Sequence, residues 1–149
     1  MVASSELLVI DRSGRLQRIS DSGTQVVELP LVGRGYPTGV VRAPDGTVFI
    51  ADTHGGRILR VQGNRTVDVF AGTGVPESAQ FVTPSDVALL DDGRVVVSVY
   101  GGDDHVAVLL GDGTLERTLG SSGEAVGAFR RPQALAVNAA GMVWVADAC

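Results

Sequence analysis

The chain has 149 residues, 44% of them hydrophobic, and 17 acidic against 12 basic side chains give it a net charge of −5. This length suits one ordinary domain, and the acidic balance argues against nucleic acid as a partner, because phosphate neutralisation normally leaves a basic footprint. No apolar stretch is long enough to cross a bilayer, so no membrane insertion is expected. Met1-Val2-Ala3-Ser4-Ser5-Glu6 carries no basic region followed by an apolar core, so no signal peptide is expected and the piece reads as soluble, with its compartment left open. Every basic residue is an arginine, which removes lysine-based Schiff-base and general-base chemistry. Cys149, the sole cysteine, makes no internal disulfide.

In chain order the apolar runs are short and separated by turn residues, the pattern of strands rather than helices. Leu7–Asp11, Arg15–Ile19 and Thr24–Leu29 read as three strands. Gly39–Arg42 follows, then a Pro44-Asp45-Gly46 hairpin turn, whose Asp-Gly pair tolerates the positive φ of tight turns. Thr47–Asp52, Arg57–Val61 and Thr66–Phe70 complete that group, with Gly63-Asn64 turning between the last two. The pattern then repeats. Pro37, Pro84 and Pro132 lie 47 and 48 residues apart, and Asp45-Gly46, Asp92-Gly93 and Ala140-Gly141 keep step with them. Val95–Val99 repeats the second strand of the group, Thr114–Arg117 supplies a solvated outer strand, and Ala134–Val137 and Val143–Asp147 open a further unit.

Such a period marks an array whose units bury their apolar faces only by stacking on one another. Val48-Phe49-Ile50-Ala51, Val95-Val96-Val97 and Val143-Trp144-Val145-Ala146 are apolar on both faces and require cover on both. Arg57-Ile58-Leu59-Arg60-Val61 alternates more and is expected further out. Four strands in a meander, sandwiched between neighbours, make a β-propeller blade. The fold expected is therefore all-β, with a partial blade at 6–35, blades at 37–82 and 84–130, and a partial blade at 132–149.

Leu119-Gly120-Ser121-Ser122-Gly123-Glu124-Ala125-Val126-Gly127-Ala128-Phe129-Arg130-Arg131-Pro132, followed by Ala134-Leu135-Ala136-Val137, resembles the connection between NHL repeats. Asp45-Gly46-Thr47-Val48-Phe49-Ile50-Ala51-Asp52 with Arg57-Ile58 resembles the centre of such a repeat. The third unit departs from it, with Val99 where the family has Asp and His105 where it has Arg. The count is about three and a quarter blades, against roughly 4–8 in closed rings. The chain is then a fragment of a longer ring, half of a six-bladed ring closed by a homodimer, or an arc that stands alone.

Propeller sites gather in loops at one end of the channel. The candidate ligand-binding residues are Asp52, His54 and Arg57 in one loop, Tyr100, Asp103, Asp104 and His105 in the related loop, and the terminal Asp147. His54 and His105 are the two histidines of the chain, and a metal or acid–base site would need them to converge with carboxylates. The plainer reading has Asp52 and Asp147 capping turns or pairing with Arg57, and both histidines in solvent. Gly120-Ser121-Ser122-Gly123 lacks the spacing of a nucleophile elbow, and Gly33-Arg34-Gly35 and Gly72-Thr73-Gly74 lack the remainder of a nucleotide fingerprint.

The resemblance implies an interaction domain, of the kind that also forms the extracytoplasmic sensor of some bacterial Ser/Thr kinases. The function expected is a non-catalytic binding, scaffold or sensor module for a protein, peptide or small ligand, needing no cofactor. The alternative is an enzyme similar to SMP-30/gluconolactonase lactonases or streptogramin lyases, which use a divalent metal.

Overall fold

The computed structural model describes residues 6–31, 35–74 and 81–148. Its strands fall into four antiparallel sheets, each a simple meander. β1 (Leu7–Asp11), β2 (Arg15–Ser20) and β3 (Gly23–Glu28) form the first blade. β4 (Pro37–Arg42), β5 (Val48–Asp52), β6 (Arg57–Val61) and β7 (Val67–Gly72) form the second. β8 (Thr83–Leu89), β9 (Val95–Tyr100), β10 (His105–Leu109) and β11 (Leu115–Leu119) form the third, and β12 (Pro132–Val137) pairs with β13 (Val143–Asp147) in the fourth. One 3-10 turn, Thr53–Gly55, is the only helical element among the described residues.

The hairpins form where the sequence places Asp-Gly pairs. At the β4–β5 turn, Ala43 N–H donates to the Thr47 carbonyl, Gly46 takes a φ of 90°, and Asp45 Oδ1 accepts the Thr47 N–H at 2.9 Å. Asp92 and Asp112 repeat this carboxylate-to-backbone bond in the third blade, and Asn138 does so with its amide oxygen in the fourth. The donated N–H groups hold the charged form of Asp45 and Asp112, so both carboxyls titrate below their ordinary value.

The second blade shows why its central strand is apolar throughout. Every residue of β5 is buried. Val48 and Ile50 join Leu16, Val27 and Leu29 of the first-blade side, whereas Phe49 and Ala51 join Val87, Val95, Val97 and Val99 of the third. Side chains alternate along a strand, so one strand supplies both of the blade's interfaces. β6 divides in the same way, with Leu59 and Val61 facing one neighbour and Ile58 the other. Phe49 and Phe70 meet edge to face at 4.8 Å between centroids, filling the second interface.

The inner strands β4, β8 and β12 lie side by side. Thr38 Oγ1 donates to the Ser85 carbonyl at 2.6 Å, and Ser85 Oγ to the Pro132 carbonyl at 2.7 Å. Each hydroxyl reaches a residue 47 positions on, so the period is written in bonds between blades as well as in sequence.

The two-sided cover expected for Val143–Ala146 is not found. Trp144 is 59% exposed, whereas Val96, one period earlier, is 0% exposed. β13 pairs with β12 alone among the described strands, so its other edge and its outer face meet solvent. Strand ends shift by a residue or two from the sequence reading: β4 begins at Pro37 rather than Gly39, and β7 runs from Val67 to Gly72. Val32 to Arg34, part of the first inter-blade connection, and Cys149 lie outside the described residues.

Candidate loop-end site

Each inner strand starts, and each second strand stops, at the same end of the arc. The loops after Asp11, Asp52, Tyr100 and Asp147 therefore share that end with the connections that precede Pro37, Pro84 and Pro132. All eight candidate residues lie there, in two groups rather than one.

The first group is built on Asp52, which is 0% exposed. Register places it opposite Arg57, whose Nε donates to Oδ2 at 2.9 Å. Arg57 Nη2 also donates to the Pro30 carbonyl at 2.6 Å, tying the second blade to the chain that leaves the first. Asp52 Oδ1 is buried without a hydrogen-bond partner among the described residues. Asp52 and Arg57 thus form a structural ion pair, matching the plainer sequence reading for that pair. Asp11 and Arg15 occupy the corresponding register positions of the first blade and pair near the surface at 2.7 Å. His54 is exposed and stacks on Tyr36, with 5.2 Å between ring centroids and 26° between planes. The Arg12 guanidinium lies 4.4 Å from the Tyr36 centroid and donates to its hydroxyl. Arg12, Ser13, Leu29, Leu31, Tyr36 and His54 line a cleft of about 510 Å³.

The second group is held by Asp104. Its Oδ1 accepts the Gly101 N–H at 2.9 Å, its Oδ2 the Arg131 N–H at 2.8 Å, and its own N–H donates to Ser122 Oγ. Val99 stands opposite His105 here, so no Asp–Arg pair forms, and Asp104 organises the loop instead. His105 Nδ1 bonds the Asp103 carbonyl, while the Asp103 side chain is exposed. The Arg131 guanidinium lies 5.3 Å from the Tyr100 centroid, and both residues line a cleft of about 440 Å³. Asp147 accepts the Arg130 N–H with both oxygens, at 3.0 and 2.9 Å, which pins the last loop to β13.

The two histidines therefore sit in different groups, His54 lining the first cleft and His105 outside the lining of the second. Among the described residues no three His, Cys, Asp or Glu side chains gather closely enough to hold a metal ion. A divalent cation needs several such donors together. The single orphaned oxygen of Asp52 does not supply them, so the described residues do not fit a metal centre.

Four contributors were absent from the sequence reading: Arg12, Tyr36, Arg131 and Asp86. The first three carry a signal in the repeat. Arg12 and Tyr100 both directly follow the second strand's aspartate position, and Tyr36 and Arg131 both directly precede a blade-opening proline. The same inter-blade clasp thus occurs twice with its partners exchanged. Asp86 lies on inner strand β8 and spans to the fourth blade, its Oδ2 accepting the Leu135 N–H at 2.8 Å. Burial pushes its carboxyl above the ordinary value, against the opposing pull of the Leu135 and Val87 N–H groups.

A raised folded pKa means that the folded state holds the Asp86 proton longer. The stabilising contribution of that proton is complete below the ordinary value of 3.8 and is lost as pH rises through the folded value. Asp86→Asn cannot ionise. Its unfolding free energy should improve relative to wild type as pH rises through that window, then run parallel. Denaturation across pH tests this, and a constant difference or the opposite slope would refute it.

A larger cavity, about 980 Å³, opens at the opposite end, between the hairpin turns of the second and third blades. Its cations are already matched: Arg42 pairs with Glu6, and Arg60 with Asp68.

A virginiamycin B lyase from Staphylococcus aureus superposes with a TM-score of 0.74 at 16% identity, over 97% of this chain and 46% of the lyase. The fold is that of a β-propeller. A structure of unknown function from Bacteroides thetaiotaomicron gives a TM-score of 0.75 at 15% identity, covering 96% of this chain and 42% of its own. A gluconolactonase-family protein gives 0.63 at 21% identity, covering 95% and 53%. The chain thus spans about half the length of each of these three proteins. No protein-family model and no curated protein matches the chain.

Proposed function

We propose that the loop end of this arc is a binding surface for a protein, peptide or small ligand, and that the arc performs no chemistry on what it binds. The observation that carries this reading is that the loop end holds two inter-blade clefts rather than one centre, each with an arginine over a tyrosine. Recognition needs accessible aromatic and guanidinium groups, which both clefts offer. Catalysis by acid–base or metal chemistry needs titratable groups converging on one reacting atom. The buried Asp52–Arg57 pair and the Asp104 loop bonds serve as the scaffold that holds these clefts open.

A second reading draws on the likeness to the lyase, of which a catalytically inactive histidine-to-alanine variant is known with quinupristin. Under it, His54 or His105 would act as an acid–base group in a longer ring.

Asp104→Ala would remodel its loop, so the informative variants are Tyr100→Ala and Asp103→Ala. A peptide and small-molecule screen against the wild-type chain supplies ligands for both. Affinity for a ligand of the Tyr100–Arg131 cleft should fall about tenfold in either variant, with the urea unfolding midpoint unchanged, whereas a ligand of the Arg12–Tyr36 cleft should be unaffected. Ligands that bind both of these variants and Arg12→Gln as tightly as wild type would overturn this face. Lactone or streptogramin turnover that vanishes in His54→Ala or His105→Ala would promote the second reading.

A further inference from the structure

We propose that the cleft between the first two blades takes a small aromatic carboxylate, gripped by the Arg12 guanidinium and seated against the Tyr36–His54 stack. This rests on the binding reading above and names the ligand class for one of its two clefts.

The first observation is the state of Arg12. Arg15, Arg42, Arg57, Arg60, Arg94 and Arg130 each hold a carboxylate within 3 Å. Arg12, like Arg18, Arg65, Arg117 and Arg131, has no carboxylate partner among the described residues, but it alone of these lines the first cleft. Its hydrogen bond goes to the Tyr36 hydroxyl, and the remaining N–H donors of its planar fork face the cleft or solvent. A guanidinium in that condition matches a carboxylate with two parallel bonds.

The second observation is the lining. None of the described residues lining this cleft is acidic, and the carboxylate beside it, Asp11, which holds Ser13, is already paired with Arg15. The stacked rings of Tyr36 and His54 offer a flat surface, and Leu29 and Leu31 form an apolar wall. The volume, about 510 Å³, lies within the range of small-molecule sites. A cation beside an aromatic face and an aliphatic wall selects a ligand that is anionic at one end and flat and apolar at the other.

The third observation is the repeat itself, which supplies an internal control. In the exchanged clasp Arg131 lies over Tyr100, but Asp104 lines that cleft and Glu124 pairs with the neighbouring Arg130. The Arg131 guanidinium holds no carboxylate directly, since Asp104 takes its backbone N–H, but Asp104 and Glu124 place two carboxylates beside the two arginines of that cleft. The same pair of residue types gives an anion-receptive cleft in one place and a balanced one in the other.

The test titrates the whole chain with benzoate, benzamide and inorganic phosphate, followed by calorimetry or backbone NMR shifts. Benzoate should bind saturably and perturb Tyr36 and His54. Benzamide, which has the ring without the charge, and phosphate, which has the charge without the ring, should each bind about tenfold more weakly or not at all. Arg12→Gln should lower benzoate affinity about tenfold or more, while Arg131→Gln leaves it unchanged. Arg12 is exposed, so its variant should keep the wild-type unfolding midpoint. Should Arg12→Gln fail to fold, Arg12→Lys keeps the charge but loses the fork and should still weaken benzoate. Absence of saturable benzoate binding, equal binding of benzamide, or indifference to both Arg12 variants would overturn the proposal. Phosphate binding as tightly as benzoate would overturn its aromatic part. A ligand lost in Tyr100→Ala while benzoate is ignored would refute this ligand class and leave the binding reading standing.

Discussion

Asp52→Ala or Arg57→Ala is expected to lower the unfolding free energy by about 3–5 kcal/mol, the usual cost of stranding one member of a buried ion pair. Asp52 is fully enclosed and the Arg57 side chain is 13% exposed, so water does little to replace the missing partner. Asp52 already carries one oxygen without a hydrogen-bond partner among the described residues. Removing Arg57 would strand both. Arg57 also holds the Pro30 carbonyl, so its loss loosens the junction with the first blade. Replacing both residues by apolar ones, Asp52→Val with Arg57→Leu, should cost less than either alanine change, because no charge is then left in the interior. Urea denaturation of the two single variants and the double variant decides this. Single variants with wild-type midpoints would show that the pair is not buried as described.

Gly39→Ala is expected to cost about 3 kcal/mol, near the upper end for overpacking. A Cβ at this position would lie 2.4 Å from Asp86 Oδ1 and 2.7 Å from Asp86 Cα. The carboxylate could swing aside only by giving up the Leu135 N–H, and the Cα belongs to the adjoining inner strand. The strand spacing at the hub must therefore open. Gly63 in the β6–β7 turn has nothing within 4 Å and is the matched control, expected to accept alanine with little change. A Gly39→Ala variant as stable as Gly63→Ala would mean that β4 and β8 do not approach as described.

The repeat made most of the architecture legible. Prolines and Asp-Gly turns recur at fixed intervals because each blade solves the same packing problem, and the doubly apolar β5 and β9 announce burial on both faces. The site was less legible for a physical reason. Arg12 and Tyr36 are 24 residues apart and Tyr100 and Arg131 are 31 apart, and each pair meets only because adjacent blades bring their loops together. Charge alone also misled at Asp52 and Arg57, which look like loop residues open to a ligand but sit in register on neighbouring strands. Asp86 was hidden because its counterparts one period away are Gly39 and Ala134; a residue that breaks the repeat carries no periodic signal.

The partition of β5 between two interfaces has a mechanical consequence. Each slab of core belongs to two blades at once, so no blade can leave without tearing the slab that steadies its neighbour. Cohesion of this kind passes along the arc from joint to joint and is greatest in the middle, where a strand is gripped from both sides. The fourth blade is gripped from one side only among the described residues, with Trp144 facing water. The first blade, with Leu7 and Val26 exposed, is likewise held from one side, so heat or denaturant should loosen both ends of the arc before its middle.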